Sequence, residues 1–157
     1  MLKSKDVIGL PVINLNEGNQ IGKVSDLIIN PTEKKVVILE LNEKVGLFKK
    51  SQSSLTLDKI SSIGSDAVTV ENLEFDKDIP KELESYRFTN LVGRNIMLEN
   101  GSILGKLGEI TFSFPSGEIT TLTIKDNKTN LFGEEKGEVE MSKIRTIGKD
   151  AIIVFNR

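Results

Sequence analysis

Two stretches of the chain repeat one pattern of glycines and charges. Residues 14–31 read NLNEGNQIGKVSDLIINP, and residues 98–117 read LENGSILGKLGEITFSFPSG. In each stretch a Gly is followed four residues later by Gly-Lys, and an acidic residue comes three positions after the Lys. Internal similarity at a fixed distance indicates a duplicated structural unit.

The repeat extends over nearly the whole chain. A shift of 83 residues aligns the middle of the two copies, and it pairs Gly18 with Gly101, Gly22 with Gly105, Lys23 with Lys106, Asp26 with Glu109, Val36 with Ile119 and Leu39 with Leu122. A shift of 84 aligns both ends, and it pairs Gly9 with Gly93, Leu47-Phe48 with Leu131-Phe132, Ile60 with Ile144, Ile63-Gly64 with Ile147-Gly148, Asp66-Ala67 with Asp150-Ala151 and Val70 with Val154. The chain is therefore a tandem duplication.

Each copy is predicted to be all-β. Segment 36–42 is nearly continuous apolar sequence, which is typical of a strand with little water on either face. One turn of helix or a bend is expected at 58–63. The strands predicted in the second copy are 94–99, 103–114, 118–125, 137–141 and 151–155. Short strands joined by tight turns, without a helix long enough to cover a sheet, indicate two small, mostly antiparallel barrels in tandem.

The segment between the copies differs in composition. Residues 71–90 carry six acidic residues and Pro80, and the alternation of apolar and polar residues stops there. The stretch 80–86 could form two helical turns. We expect barrel domains at 1–72 and 91–157, joined at 73–90 by an acidic linker or short helix, which could also pack across both barrels.

Composition excludes several kinds of function. The net charge of −2 gives no basic footprint for nucleic acid, so direct DNA binding is not expected. The chain has no Cys and no His, which disfavours transition-metal sites and the commonest acid–base catalysis. No signal-peptide pattern and no membrane-spanning stretch is evident, so a cytoplasmic protein is expected.

The repeated glycines and acids have structural explanations. Gly18 and Gly101 are expected at positive φ in turns, and Gly22 and Gly105 at bulges or close backbone approaches. Lys23 and Lys106 are expected to project outward, where pairing with the acid three residues later would be a weak surface ion pair. The acidic groups at 74–78 and 133–140 lack the spacing of a calcium loop, and they are interpreted as solvated faces.

A repeated Leu-Phe pair leaves two interpretations open. Leu47, Phe48, Leu131 and Phe132 could close the ends of the barrels, or they could form exposed apolar tips that bind a partner. Their charged neighbours differ: Lys49 and Lys50 follow the first pair, whereas Glu134 and Glu135 follow the second. Loops 43–54 and 126–137, together with the bridging segment, are candidate partner surfaces. If the two Leu-Phe tips bind, the two copies are expected to prefer different surfaces.

The repeated unit resembles a PRC-barrel domain. The first copy matches the recurring pattern at Gly9, Val12, Gly18, Gly22, Lys23, Val24, Asp26, Ile60, Ile63, Gly64, Asp66 and Ala67. The second copy diverges, with Glu109 in place of Asp and with Ile96 and Leu107 in place of Val. The resemblance implies a small, mostly antiparallel β-barrel, as in the photosynthetic reaction-centre H subunit and the ribosome-maturation factor RimM. In those proteins the barrel acts through contacts with other macromolecules.

These observations favour a non-enzymatic interaction or scaffold module. The partner expected is a protein or a ribonucleoprotein, without a cofactor or a metal, and a homodimer is left open. The alternative is a regulatory protein that binds a small ligand or an ion in the cleft between the two barrels.

Overall fold

The computed structural model describes residues 1–45, 49–71, 74–76, 78–125 and 135–156, with the backbone alone at 44–45, 49–51 and 135–136. The strands and α-helices of the first copy are β1 (Leu2–Lys3), α1 (Ser4–Val7), β2 (Pro11–Asn14), β3 (Gln20–Asn30), β4 (Lys35–Val45), β5 (Lys49–Thr56), β6 (Ser62–Ile63) and β7 (Val68–Val70). Those of the second copy are α2 (Phe88–Leu91), β8 (Asn95–Leu98), β9 (Ile103–Phe112), β10 (Ile119–Lys125), β11 (Glu135–Glu140), β12 (Ile144–Ile147) and β13 (Ala151–Val154). Short 3-10 helices span Leu57–Lys59, Lys81–Tyr86 and Met141–Lys143.

The two copies form two sheets with the same strand order. The first is β5-β4-β3-β2-β7-β6, and the second is β11-β10-β9-β8-β13-β12, with β1 added against β9. The pairs β2–β7 and β8–β13 are parallel, and the other pairs are antiparallel. The all-β tandem fold predicted from the repeat is confirmed. A linker or a short helix was expected between the copies, and the structure has the 3-10 helix Lys81–Tyr86 there.

Some elements differ from the prediction. The bend expected at 58–63 is a 3-10 turn followed by strand β6. In the second copy the strand that corresponds to β6 is β12, which has four residues. The prediction did not include β1 or α1. Elements of two and four residues are too short to show a period in the sequence. Domain boundaries at 1–72, 73–90 and 91–157 stay a prediction.

The repeated glycines have the geometry that their spacing predicts. Gly18 and Gly101 have φ of +70° and +90°, values that favour glycine. A Cβ on Gly22 would lie 2.5 Å from the carbonyl oxygen of Asn42, and one on Gly105 would collide with the neighbouring strand. The pattern that reveals the duplication is therefore a turn and a close strand approach, each present twice.

The apolar core runs through both copies. One cluster of buried side chains includes Leu27 and Leu39 from the first copy and Ile110 and Phe112 from the second. A smaller cluster lies on the outer face of the first sheet, where Ile28 and Ile38 pack against Ile79, with Val37 and Leu83 beside them. The bridging segment is thus packed on the first copy. In the described part of the chain, the helices are all too short or too polar to cross a membrane.

Candidate functional site

Four of the six residues predicted to contact a partner lie outside the described residues: Leu47, Phe48, Leu131 and Phe132. The other two, Lys49 and Lys50, are the first residues of β5, and the register places them opposite Val45 and Lys44 of β4. The two interpretations of the Leu-Phe pairs, as barrel ends or as exposed tips, therefore both stay predictions.

The first candidate loop is mostly strand. Residues 43–54 were predicted as a polar loop followed by a short strand, but β4 and β5 pair continuously from Ile38↔Thr56 to Val45↔Lys49. The neighbouring strand β3 pairs with β4 only as far as Lys23↔Asn42. Beyond that point the hairpin is a two-stranded extension of the sheet. Its sequence carries Lys44, Lys49 and Lys50.

The second candidate loop joins the corresponding hairpin. Strands β10 and β11 pair from Thr121↔Glu140 to Lys125↔Glu135, with a bulge near the end. Residues 126–134 between them are outside the described residues. The sequence beside this end carries Glu134 and Glu135 together with Lys128 and Lys136, and the charge is opposite at one equivalent position, where Lys50 of the first hairpin corresponds to Glu134.

The acid of the repeated Gly-Lys pattern lies in the contact between the copies. A weak surface ion pair was expected for Asp26, but this is wrong, because the residue is only 4% exposed. Its carboxylate accepts hydrogen bonds from the backbone N–H of Thr89 at 3.2 Å and from the Thr89 hydroxyl at 2.5 Å. It also accepts one from the N–H of Leu27 at 2.9 Å. Thr89 is the second residue of α2, which belongs to the other copy.

The second copy makes the same contact in return. Glu109, 5% exposed, accepts hydrogen bonds from the N–H of Lys5 at 2.6 Å and from the hydroxyl of Ser4 at 3.3 Å. Lys5 is the second residue of α1, at the position equivalent to Thr89. The Lys5 ammonium lies 3.8 Å from the same carboxylate. Each copy therefore binds the helix of the other copy with the acid of its own pattern.

These reciprocal contacts between an acid and a helix are favourable for an electrostatic reason. The first N–H groups of a helix have no partner within the helix, and they carry a partial positive charge. A carboxylate that accepts from them forms a charge-assisted hydrogen bond, which is stronger than a neutral one. Such an acid can be buried with apolar neighbours on both sides. The flanking apolar residues, such as Leu27 and Ile110, were the available signal that these acids are buried.

The β3–β4 turn of the first copy and the β9–β10 turn of the second copy are joined by two reciprocal backbone hydrogen bonds. The N–H of Val36 donates to the carbonyl of Gly117 at 2.8 Å, and the N–H of Ile119 donates to the carbonyl of Lys34 at 3.1 Å. The two donors occupy equivalent positions in the copies, as do the two acceptors. Lys34 has φ of +57° and its counterpart Gly117 has +78°. The copies are thus related by an approximate two-fold axis, which sequence comparison did not show.

One ion pair between the bridging segment and the first sheet has no counterpart. Arg87 contacts the carboxylate of Glu40, which is buried, and its Nε donates to Glu84 at 2.9 Å. The hydrogen bond that Arg87 donates to Glu84, together with its contact to Glu40, holds the pKa of Arg87 above its ordinary value against the effect of burial. The same hydrogen bond lowers the pKa of Glu84. In the second copy the equivalent positions hold Thr123 and Lys3.

The fold and the repeat agree with a comparison against known families. The family model described as PRC-barrel domain matches the chain twice, over residues 1–77 and 83–157. A search of curated proteins found no match to the chain. PRC-barrel domains are known protein-interaction modules. The chain therefore belongs to the PRC-barrel family and carries two copies of the domain in tandem.

Proposed function

We propose that the protein is a non-enzymatic adaptor that docks on a protein or ribonucleoprotein partner through the free ends of its two long hairpins. The observation that supports this is the position of the contact between the copies. Strand β4 begins at Lys35, beside the hairpin turn that meets the other copy, and ends at Val45. Eleven strand residues span about 36 Å at most. The end of the first hairpin is therefore distant from the turn that meets the other copy.

The charges at the two hairpin ends support a partner with two distinct surfaces. Lys49 and Lys50 follow the first Leu-Phe pair, whereas Glu134 and Glu135 follow the second, whose neighbours also include Lys128 and Lys136. Charge complementarity of this kind determines orientation and association rate more than affinity. A rigid tandem unit would hold the two ends at a fixed spacing, because the reciprocal hydrogen bonds of Asp26 and Glu109 join the copies.

The small-ligand alternative receives less support. The space between the copies contains a continuous apolar core, and the two buried acids there already accept hydrogen bonds from the opposite helices. A thermal-shift screen against metal ions, nucleotides and metabolites tests this alternative, and stabilisation by one of them would favour it over the adaptor.

The adaptor proposal is tested by replacing the apolar hairpin residues in the full chain. We expect Phe48→Asp and Phe132→Asp each to lose a different set of proteins in affinity purification from the native host, while urea unfolding stays close to wild type. Leu15→Asp is the matched control, because Leu15 is 49% exposed in a different turn and should change neither. A parallel purification after ribonuclease treatment separates a protein partner from a ribonucleoprotein.

Two results would contradict the proposal. If both Phe variants retain every captured protein, the hairpin ends do not bind a partner. If Phe48→Asp unfolds the chain, the Leu-Phe pair closes the barrel instead.

A further inference from the structure

The outer edge of β5 in the first copy is covered by the chain itself. The N–H of Ser54 donates to the carbonyl of Asp76 at 2.6 Å, and the N–H of Asp76 donates back to the carbonyl of Ser54 at 3.0 Å. The hydroxyl of Ser54 also donates to the carbonyl of Asp76 at 3.1 Å. Lys59 extends from the 3-10 turn, and its ammonium donates to the carbonyl of Glu74 at 3.2 Å. A short antiparallel segment is thus held along this edge.

The equivalent edge of the second copy has the same geometry without such a segment. The shift of 84 places Glu138 of β11 at the position of Ser54. The registers agree, since Ser54 lies opposite Glu40 and Glu138 lies opposite the equivalent Thr123. The N–H and C=O of Glu138 should therefore point outward, as those of Ser54 do. Among the described residues, β11 pairs with β10 alone.

Burial shows the same difference. Ser54 is 3% exposed beneath its covering segment, whereas the side chain of Glu138 is exposed. An edge strand with outward N–H and C=O groups is a template for another strand. Proteins that recognise extended peptides often add them to such an edge, where backbone hydrogen bonds give affinity and side chains give specificity.

We propose that the outer edge of β11 binds an extended segment of a partner protein as an added antiparallel strand, with a basic residue opposite Glu138. The inference deepens the proposed adaptor function and rests on it. It concerns the side of the second hairpin rather than the two hairpin ends.

Charge identifies the occupant. Glu138 and Glu140 are both exposed, and they lie two residues apart, on one face of the strand. Like charges directly opposite each other destabilise a strand pair, so an acidic residue such as Asp76 would be disfavoured opposite Glu138. Lys143 is equivalent to Lys59, which binds a backbone carbonyl of the covering segment. In the first copy the Lys59 ammonium also lies 3.9 Å from the Asp76 carboxylate, beside the uncharged Ser54 and Thr56. Lys143 instead lies beside the two acids Glu138 and Glu140, so the second edge is acidic overall and favours a basic residue.

The proposal is tested with the full chain and two labelled synthetic peptides, one alternating Lys with Val and one alternating Glu with Val. We expect the Lys peptide to bind at least about tenfold more tightly. Hydrogen exchange of the Glu138 amide should be fast in the free protein and slow by about tenfold or more with the Lys peptide bound, whereas the Ser54 amide stays protected throughout.

Two substitutions separate strand addition from simple charge attraction. Glu138→Pro removes the outward N–H. It should abolish peptide binding, and the peptide should no longer slow hydrogen exchange along the β11 edge. The chain should stay folded, since proline is tolerated at an open edge. Glu138→Lys should reverse the preference between the two peptides. Leu15→Asp should leave peptide binding unchanged. The capture experiment with Phe48→Asp and Phe132→Asp tests the proposed function separately, so failure of this inference and failure of the proposed function are distinguishable.

Each contrary outcome has one meaning. A Glu138 amide that is already protected in the free protein shows that the edge is covered by the chain itself, and it overturns the proposal. Peptide binding without added protection, or binding that survives Glu138→Pro, shows charge attraction alone and also overturns it. A dimer that Glu138→Pro dissociates would show that the occupant is a second copy of this chain.

Discussion

The outer faces of the two sheets show how the copies have diverged. In the first copy Ile28 and Ile38 are buried there under Ile79 of the bridging segment. The equivalent positions of the second copy are Thr111 and Thr121. The difference indicates that the bridging segment is a structural part of the first copy and more than a connection between the two.

A polar substitution accompanies the apolar one. Glu40 and Arg87 form an ion pair on the first sheet, where Thr123 and Lys3 occupy the equivalent positions on the second. The backbone contacts are nevertheless conserved: Arg87 forms a bridge to Ile28, as Lys3 pairs with Thr111. Side chains on this face have therefore changed while the approach of the other copy has stayed the same.

The ion pair provides the largest expected effect. Arg87→Ala should lower the free energy of unfolding by about 3–5 kcal/mol, because it leaves the buried Glu40 carboxylate without its cation. Adding Glu40→Thr should restore most of that stability, because the second copy uses Thr at this position. Urea unfolding of the single and double variants measures both effects. Lys3→Ala is the matched control, with a change expected within about 0.5 kcal/mol. A double variant as unstable as Arg87→Ala would contradict the explanation.

The packing of the bridging segment on the first sheet provides the second-largest expected effect on stability. Ile28→Thr should lower the free energy of unfolding by about 2–3 kcal/mol, since Ile28 is fully buried and the hydroxyl would have no partner against Ile79. On the second sheet, Thr121→Ile, at the position equivalent to Ile38, should change the free energy of unfolding by at most about 0.5 kcal/mol, because Thr121 is only partly buried. Equal losses for the two variants, measured by urea unfolding, would mean that the faces are covered alike.

The exposed end of the same network provides the smallest effect. Glu84→Gln should lower the free energy of unfolding by at most about 0.5 kcal/mol, because this carboxylate is largely solvated. The hydrogen bond with Arg87 lowers the pKa of Glu84, so its contribution is present above the ordinary pKa of Glu and lost as the pH falls. The difference from wild type should therefore be largest at about pH 7 and should shrink as the pH falls below the ordinary pKa of Glu. A difference that grows on acidification would contradict this assignment.

Some of the fold could be predicted because it depends on local chemistry. Gly18 and Gly101 mark turns, since few other residues adopt positive φ readily. The apolar run in β4 indicates a strand buried on both faces, and the structure buries it. The contact between the copies could not be predicted, because Ser4 and Glu109 are far apart in sequence and nothing local distinguishes their pairing.

The sequence by itself determined the duplication, the all-β class and the family, since these depend on spacing, alternation and turn residues that recur at a fixed distance. Only the tertiary structure decided the role of the acid in the repeated Gly-Lys pattern. A lone carboxylate three residues after a lysine has the features of a surface ion pair. Asp26 and Glu109 are buried because each meets unpaired helix N–H groups from the opposite copy, and those groups come together only when both copies have folded.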